Sequence, residues 1–127
     1  MLSPEEASAI EIAAARVLGE GRGKSWPEYL ERWNQVVQQV EQGYDFTIYD
    51  YTNDLDIRSR LESILDQTSR GSAKDKLARM IEAIDERFLN ATYERAIPLA
   101  RGHSLDEWWW NRAPQKAGPE LERDLRA

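Results

Sequence analysis

Hydrophobic residues recur along this chain at three- and four-residue steps, with charged residues between them. The apolar positions form four stripes, which run from Ile10 to Val17, Trp26 to Val40, Ile57 to Leu65 and Leu77 to Ala91. Stripes of this period predict helices that each bury one side against their neighbours. We therefore predict an all-α fold, a single-domain helical bundle of about four main helices followed by a C-terminal aromatic segment.

Residues that start helices precede several of these stripes. A serine with a glutamate three positions later forms a capping box, in which each side chain satisfies a free backbone amide. This pairing occurs at Ser3 and Glu6, Ser25 and Glu28, and Ser104 and Glu107. Asn53, with acids after it, is a further candidate for a helix start. We assign residues 1–112 to the bundle and 113–127 to a loosely held tail that could form a short helix from Pro119.

Three consecutive tryptophans, Trp108, Trp109 and Trp110, are the most unusual feature of the sequence. Successive side chains on a helix point about 100° apart, so one core-facing stripe does not easily hide all three. Either the segment is wedged between two parts of the fold, or at least one indole is offered to a partner. We expect the tryptophans either to dock onto the bundle or to form a homodimer contact.

Composition excludes several classes of protein. The chain has 127 residues, a formal charge of −6 and no cysteine. Nucleic acids and anionic membranes attract clustered lysine and arginine, so we expect neither as a partner. Disulfides and thiolate zinc sites are impossible. With no secretory signal and no long apolar run, the sequence predicts a cytoplasmic protein. Its preference for arginine over lysine is typical of a bacterial source.

Motifs for catalysis are weak. The glycine-rich loop at 19–25 has Leu18 where a phosphate-binding loop needs its first glycine. The single histidine, His103, cannot supply the two Glu-x-x-His motifs of a di-iron bundle. We therefore predict no catalytic residue, no bound metal and no cofactor.

Two acidic pairs give the main enzymatic alternative. Glu28-x-x-Glu31 and Glu82-x-x-Asp85 each place two carboxylates on one helical face, where they could hold magnesium. This pairing resembles that of all-α nucleotide pyrophosphatases of the MazG/dUTPase type, although the second pair lies two helices further on rather than on the next helix. The resemblance implies a magnesium-dependent nucleotide pyrophosphohydrolase. It covers only these four acids.

The strongest charge signal lies between Asn34 and Ile57, where five acids occur without any lysine or arginine. Tyrosine and phenylalanine alternate with those acids, a combination typical of surfaces that bind basic proteins. The predicted partner-binding residues are Asp45, Tyr49, Asp50, Tyr51, Asp54, Trp109 and Trp110. We predict a non-enzymatic protein-binding module, of the kind found in immunity proteins and inhibitors. A self-associating structural protein is the remaining functional alternative. The simplest explanation of the aromatic residues between Asn34 and Ile57 is that they pack in the end of the bundle.

Overall fold

All four predicted stripes lie on helices of a computed structural model that describes residues 1–19, 25–99 and 106–126. The helices are α1 (Pro4–Leu18), α2 (Trp26–Gln42), α3 (Ile48–Gln67), α4 (Ser72–Ala91) and a short α5 (Pro119–Arg126). The first four pack together, so the all-α bundle is confirmed. None of the described helices is long and apolar enough to cross a membrane.

The start of α1 follows the predicted capping chemistry. The Ser3 hydroxyl accepts a hydrogen bond from the Glu6 amide, and the Glu6 carboxylate accepts one from the Ser3 amide. The Ser25 side chain, by contrast, makes no capping hydrogen bond at the start of α2. The third predicted box, at Ser104, and the residues Glu20 to Lys24 and His103 lie outside the described part of the chain.

The third helix begins earlier than the sequence predicted. Thr47, not Asn53, is its cap, and Thr47 forms a capping box with Asp50. An aspartate replaces the glutamate usual at this position, which hides the motif from a search for glutamate. Residues 48–51 therefore form the first turn of α3, and Tyr44 before them forms an isolated β-bridge with Ala117.

Helix α3 is central to the core. It packs against α1 and α2, while α2 packs against α4. The largest fully buried side chains come from several elements: Trp33, Tyr44, Tyr51, Phe88 and Trp109. Burial of aromatic and aliphatic side chains of this kind supplies most of the stability of a small helical domain.

The C-terminal segment packs against the bundle and is not a loose tail. Strands β1 (Thr92–Glu94) and β2 (Arg112–Pro114) form an antiparallel ribbon that returns the chain to the end of α4. The predicted short helix from Pro119 is present as α5, and its Leu121 is fully buried. The packing of this segment is hard to predict because a single buried leucine in a charged octapeptide gives little apolar signal.

A buried ionic cluster lies between the helices. The Arg58 guanidinium, on α3, donates to both carboxylate oxygens of Asp85 on α4, with N···O distances of 2.9 to 3.2 Å. Asp85 also accepts a hydrogen bond from the Trp33 indole on α2, at 3.0 Å. Arg58 donates to Glu62 as well, and it lies 4.3 Å from the ring centroid of Trp109. One arginine therefore links three helices and the tryptophan segment.

Removing Asp85 should destabilise the fold severely. Asp85→Ala leaves Arg58 buried without its main counter-charge, so we expect a loss of about 3–5 kcal/mol in the free energy of unfolding, measured in urea. Glu62→Gln is the matched control, because it changes the partially exposed partner of the same guanidinium and should cost about 1 kcal/mol or less. Equal losses for the two variants would contradict the central role of the Asp85 contact.

Candidate protein-binding surface

The first two turns of α3 carry most of the predicted binding residues. Tyr49 is 78% exposed, Asp50 follows it and is exposed, and Asp45, which lies just before α3, is exposed as well. Asp54, one turn after Asp50 on the same side of the helix, is half-buried. We call these four side chains the acidic face. Among the described residues, no lysine or arginine forms an ion pair with its three carboxylates.

Asp54 has a buried partner. Its carboxylate accepts a hydrogen bond from the hydroxyl of Tyr44, a side chain that is fully buried. Burial raises the pKa of Asp54, with a further contribution from the nearby charge of Asp50, while the Tyr44 hydrogen bond and Arg32 oppose that rise. Burial and the Asp54 contact likewise raise the pKa of Tyr44. The tyrosine therefore stays neutral and donates a hydrogen bond to the carboxylate.

The C-terminal segment holds this region in place through the backbone. The Tyr44 amide donates to the Lys116 carbonyl at 2.8 Å, and the Gly118 amide donates to the Tyr44 carbonyl at 2.7 Å. Asp45 lies close to Gly118: a β-carbon at position 118 would be 2.3 Å from the Asp45 carboxylate and 3.0 Å from its Cα, so a larger residue would displace the Asp45 side chain and crowd its backbone. The chain before α3 is therefore fixed by contacts with residues that are distant in sequence.

Asp124 is an acid beside this surface that the sequence did not reveal. Its carboxylate on α5 accepts a hydrogen bond from the Ile48 amide, at 3.3 Å, at the first residue of α3. A carboxylate there complements the free amides of a helix N-terminus. The sequence shows only an acid on a short helix, with no pattern that pairs it with residue 48.

Two of the predicted binding residues are buried, so their assignment to a binding surface is wrong. Tyr51 is fully buried, and its hydroxyl donates to the Arg112 carbonyl at 2.8 Å. It precedes the core residue Leu55 by one helical turn, and therefore faces inward. Trp109 is also fully buried, beneath Arg58. Neither side chain can contact a partner in this conformation.

The tryptophan triplet is wedged, as the first of the two predicted arrangements requires. Trp108 to Asn111 form a short 3-10 helix, and the indole N–H groups of Trp109 and Trp110 both donate to the Ser59 hydroxyl, at 3.0 and 2.9 Å. Trp108 is half-buried and contacts the Phe88 ring. These indoles pack within the chain, so a symmetric interface built on all three does not agree with the structure.

Trp110 differs from Trp109 because it reaches the surface of a groove. This open groove has a volume of about 430 Å³ and lies beside the acidic face. Its lining residues are Ile48, Tyr49, Thr52, Asn53, Asp56, Leu99 and Trp110. Trp110 is only 4% exposed, which makes it a floor rather than the protruding anchor that the sequence predicted. The structure thus brings together Tyr49 and Trp110, which are far apart in sequence.

The other two acids of the lysine- and arginine-free stretch have cationic partners. Glu41 forms an ion pair with Arg87 that holds α2 to α4, and this contact lowers the pKa of Glu41. It lines a separate cleft with Arg87 and Lys116, so it does not belong to the acidic face. Asp56 accepts a hydrogen bond from Arg60, which lies one turn further along α3, at 3.4 Å. This pair is exposed and its contact is long.

The four acids that resemble a pyrophosphatase site do not share one environment in the structure. Asp85 is buried and occupied by Arg58 and Trp33, whereas Glu28, Glu31 and Glu82 are exposed on the outer faces of their helices. No group of described acidic or histidine side chains is arranged to hold a metal ion. The geometry gives the magnesium-dependent alternative no support.

Comparison with known proteins gives no family assignment: no family model, no curated protein and no solved structure matches this chain.

The raised pKa of Asp54 has a measurable consequence for stability. Between the ordinary pKa of 3.8 and the higher folded value, the native state holds the proton more tightly than the unfolded state does. Asp54 therefore favours folding most when it is protonated, and this contribution is lost as the pH rises through the folded pKa. Asparagine keeps an oxygen for Tyr44 but does not titrate. The free energy of unfolding of the wild type, relative to Asp54→Asn, should fall as the pH rises from about 3 to about 7.

Urea unfolding of both proteins across that pH range provides the measurement. Asp66→Asn, an exposed acid at the other end of α3, serves as the control for loss of one negative charge. A wild type that gains stability over Asp54→Asn as the pH rises would show that folding stabilises the carboxylate and lowers its pKa, which is the opposite of the shift that burial produces.

Proposed function

We propose that this chain is a non-enzymatic protein-binding module whose acidic face covers the basic surface of a partner, in the manner of an inhibitor or immunity-type protein. The observation that supports this proposal best is the exposure of Tyr49, at 78%, among carboxylates that no described cation pairs. A large ring displayed on a helix start, instead of packed in the core, suits a binding contact better than a structural one.

Tyr49 and the acids would have different tasks in such a complex. Unpaired carboxylates attract a basic surface over several ångströms and speed the encounter, mainly at low salt. A tyrosine has few rotatable bonds and a polar tip, so it contributes buried contact area at a small entropic cost. Because Tyr49, Asp50 and Asp54 lie on the capped first turns of α3, little ordering of their backbone is needed upon binding.

The proposal keeps the cytoplasmic, bacterial setting expected from the sequence. The pyrophosphohydrolase alternative would require Asp85 to leave Arg58, which makes it less favourable. Self-association through Trp109 and Trp110 is less favourable, because both indole N–H groups already donate to Ser59 within the chain.

Asn53→Lys is the substitution that best tests this proposal. Asn53 is exposed one turn after Tyr49, and no side-chain hydrogen bond to it is seen among the described residues. A lysine there adds positive charge beside the acidic face and leaves the Thr47–Asp50 cap and the Tyr44–Asp54 contact intact. Reversal of Asp50 or Asp54 would damage those contacts and confuse folding with binding.

The experiment compares immobilised wild-type protein with two variants in the lysate of the native host. A basic protein should be recovered by the wild type and by Gln67→Lys, which adds the same charge at the far end of α3, but much less by Asn53→Lys. With the purified partner, Asn53→Lys should slow association about tenfold at low salt, and less at high salt. Equal recovery and equal association rates for the two lysine variants would refute the proposed surface.

A further inference from the structure

The groove beside the acidic face has walls of different chemistry. Tyr49, Asn53 and Asp56 follow one another at helical spacing and form one wall. Leu99 also lines the groove, and it is tied to Trp110 because its amide donates to the Trp110 carbonyl at 2.9 Å. The groove therefore combines two aromatic rings, aliphatic surface, an amide and a carboxylate within about 430 Å³.

None of the described residues that line this groove is basic. The one charged group among them is the Asp56 carboxylate, whose side chain is 53% exposed. An apolar ligand would make no use of that carboxylate, and an anion would be repelled by it and by the acidic face. Charge complementarity therefore selects a cation with an apolar stem.

The chain itself shows that Asp56 receives a guanidinium. Arg60 donates from Nε to the Asp56 carboxylate at 3.4 Å, and both side chains are about half exposed. A single long hydrogen bond in water is weak, so an external guanidinium with better geometry can replace it. Arg60 thus acts as an internal competitor at the edge of the groove.

We propose that this groove binds an arginine side chain of the basic partner, an inference that rests on the proposed protein-binding function. The guanidinium would pair with Asp56 in place of Arg60, and its planar face would lie against Tyr49 or Trp110. Its methylene groups would contact Leu99 and Ile48. Arginine suits this set of groups better than lysine, because it stacks on aromatic rings and pairs with a carboxylate through two parallel hydrogen bonds.

Three synthetic peptides test this inference on the full-length protein. They are acetyl-(Gly-Arg)4-amide and the same peptide with lysine or with uncharged citrulline in place of arginine. Binding is followed by NMR, with the indole N–H signal of Trp110 as a reporter from the groove floor. We expect the arginine peptide to bind about two- to fivefold more tightly than the lysine peptide and to shift the Trp110 signal. The citrulline peptide should not bind.

Two variants give opposite expectations. Tyr49→Ala removes a stacking surface and should weaken the arginine peptide about two- to fivefold while it changes the lysine peptide less. Arg60→Gln removes the internal competitor and should tighten binding of the arginine peptide. Arg79→Gln, an exposed arginine on α4, is the control for the same change in net charge and should have a smaller effect.

Several outcomes would overturn the inference. Equal affinity for the arginine and lysine peptides with an unchanged Trp110 signal would show general attraction to the acidic face, which leaves the proposed function intact but removes the arginine site. Absence of binding by both cationic peptides, or equal effects of Arg60→Gln and Arg79→Gln, would also remove it. Failure of the proposed function itself is detected by a separate result: Asn53→Lys and Gln67→Lys would recover the partner equally and associate with it at equal rates.

Discussion

The buried Arg58 guanidinium is the interaction on which the rest of this structure depends. Its side chain is 5% exposed, so every contact it makes must offset the loss of hydration. Asp85 supplies the counter-charge from α4, Trp33 shares that carboxylate from α2, and Trp109 covers the guanidinium from the C-terminal segment. An apolar core would hold these elements together with less directionality. The ionic cluster fixes where each element lies relative to α3.

The position of Arg58 also affects the proposed binding surface, through the next residue, Ser59. Ser59 accepts the indole N–H groups of Trp109 and Trp110, so the position of Arg58 also sets the groove floor. The other end of the surface is set by Tyr44, whose backbone pairs with the C-terminal segment and whose hydroxyl reaches Asp54. Long-range contacts hold both ends of the first half of α3, and the displayed side chains lie between them.

The sequence predicted what is periodic and local, and it failed where contacts are distant. Four stripes and the Ser3 capping box gave the helices, because period and cap chemistry are visible within a few residues. The sequence places Tyr51 on the surface, because a helix start at Asn53 leaves the position of Tyr51 on α3 undefined. Trp109 and Asp124 depend on partners 50 and 76 positions away, and a single sequence carries no record of such pairs. The exposure of Tyr49 agrees with a local signal, an aromatic residue among acids.

Structural duties for the acids of α3 do not remove their electrostatic effect on a partner. Asp50 caps a helix and Asp54 accepts from Tyr44, but the donors in both cases are neutral groups, so neither hydrogen bond cancels a charge. The positive end of the α3 dipole stabilises Asp50 locally, and its field declines within a turn. Glu41 differs, because Arg87 neutralises it directly. Capping therefore accounts for Asp50, and the Tyr44 hydrogen bond accounts for Asp54. Arg32 acts on Asp54 through space, but no described lysine or arginine forms an ion pair with either carboxylate, so their charge remains available to a basic surface.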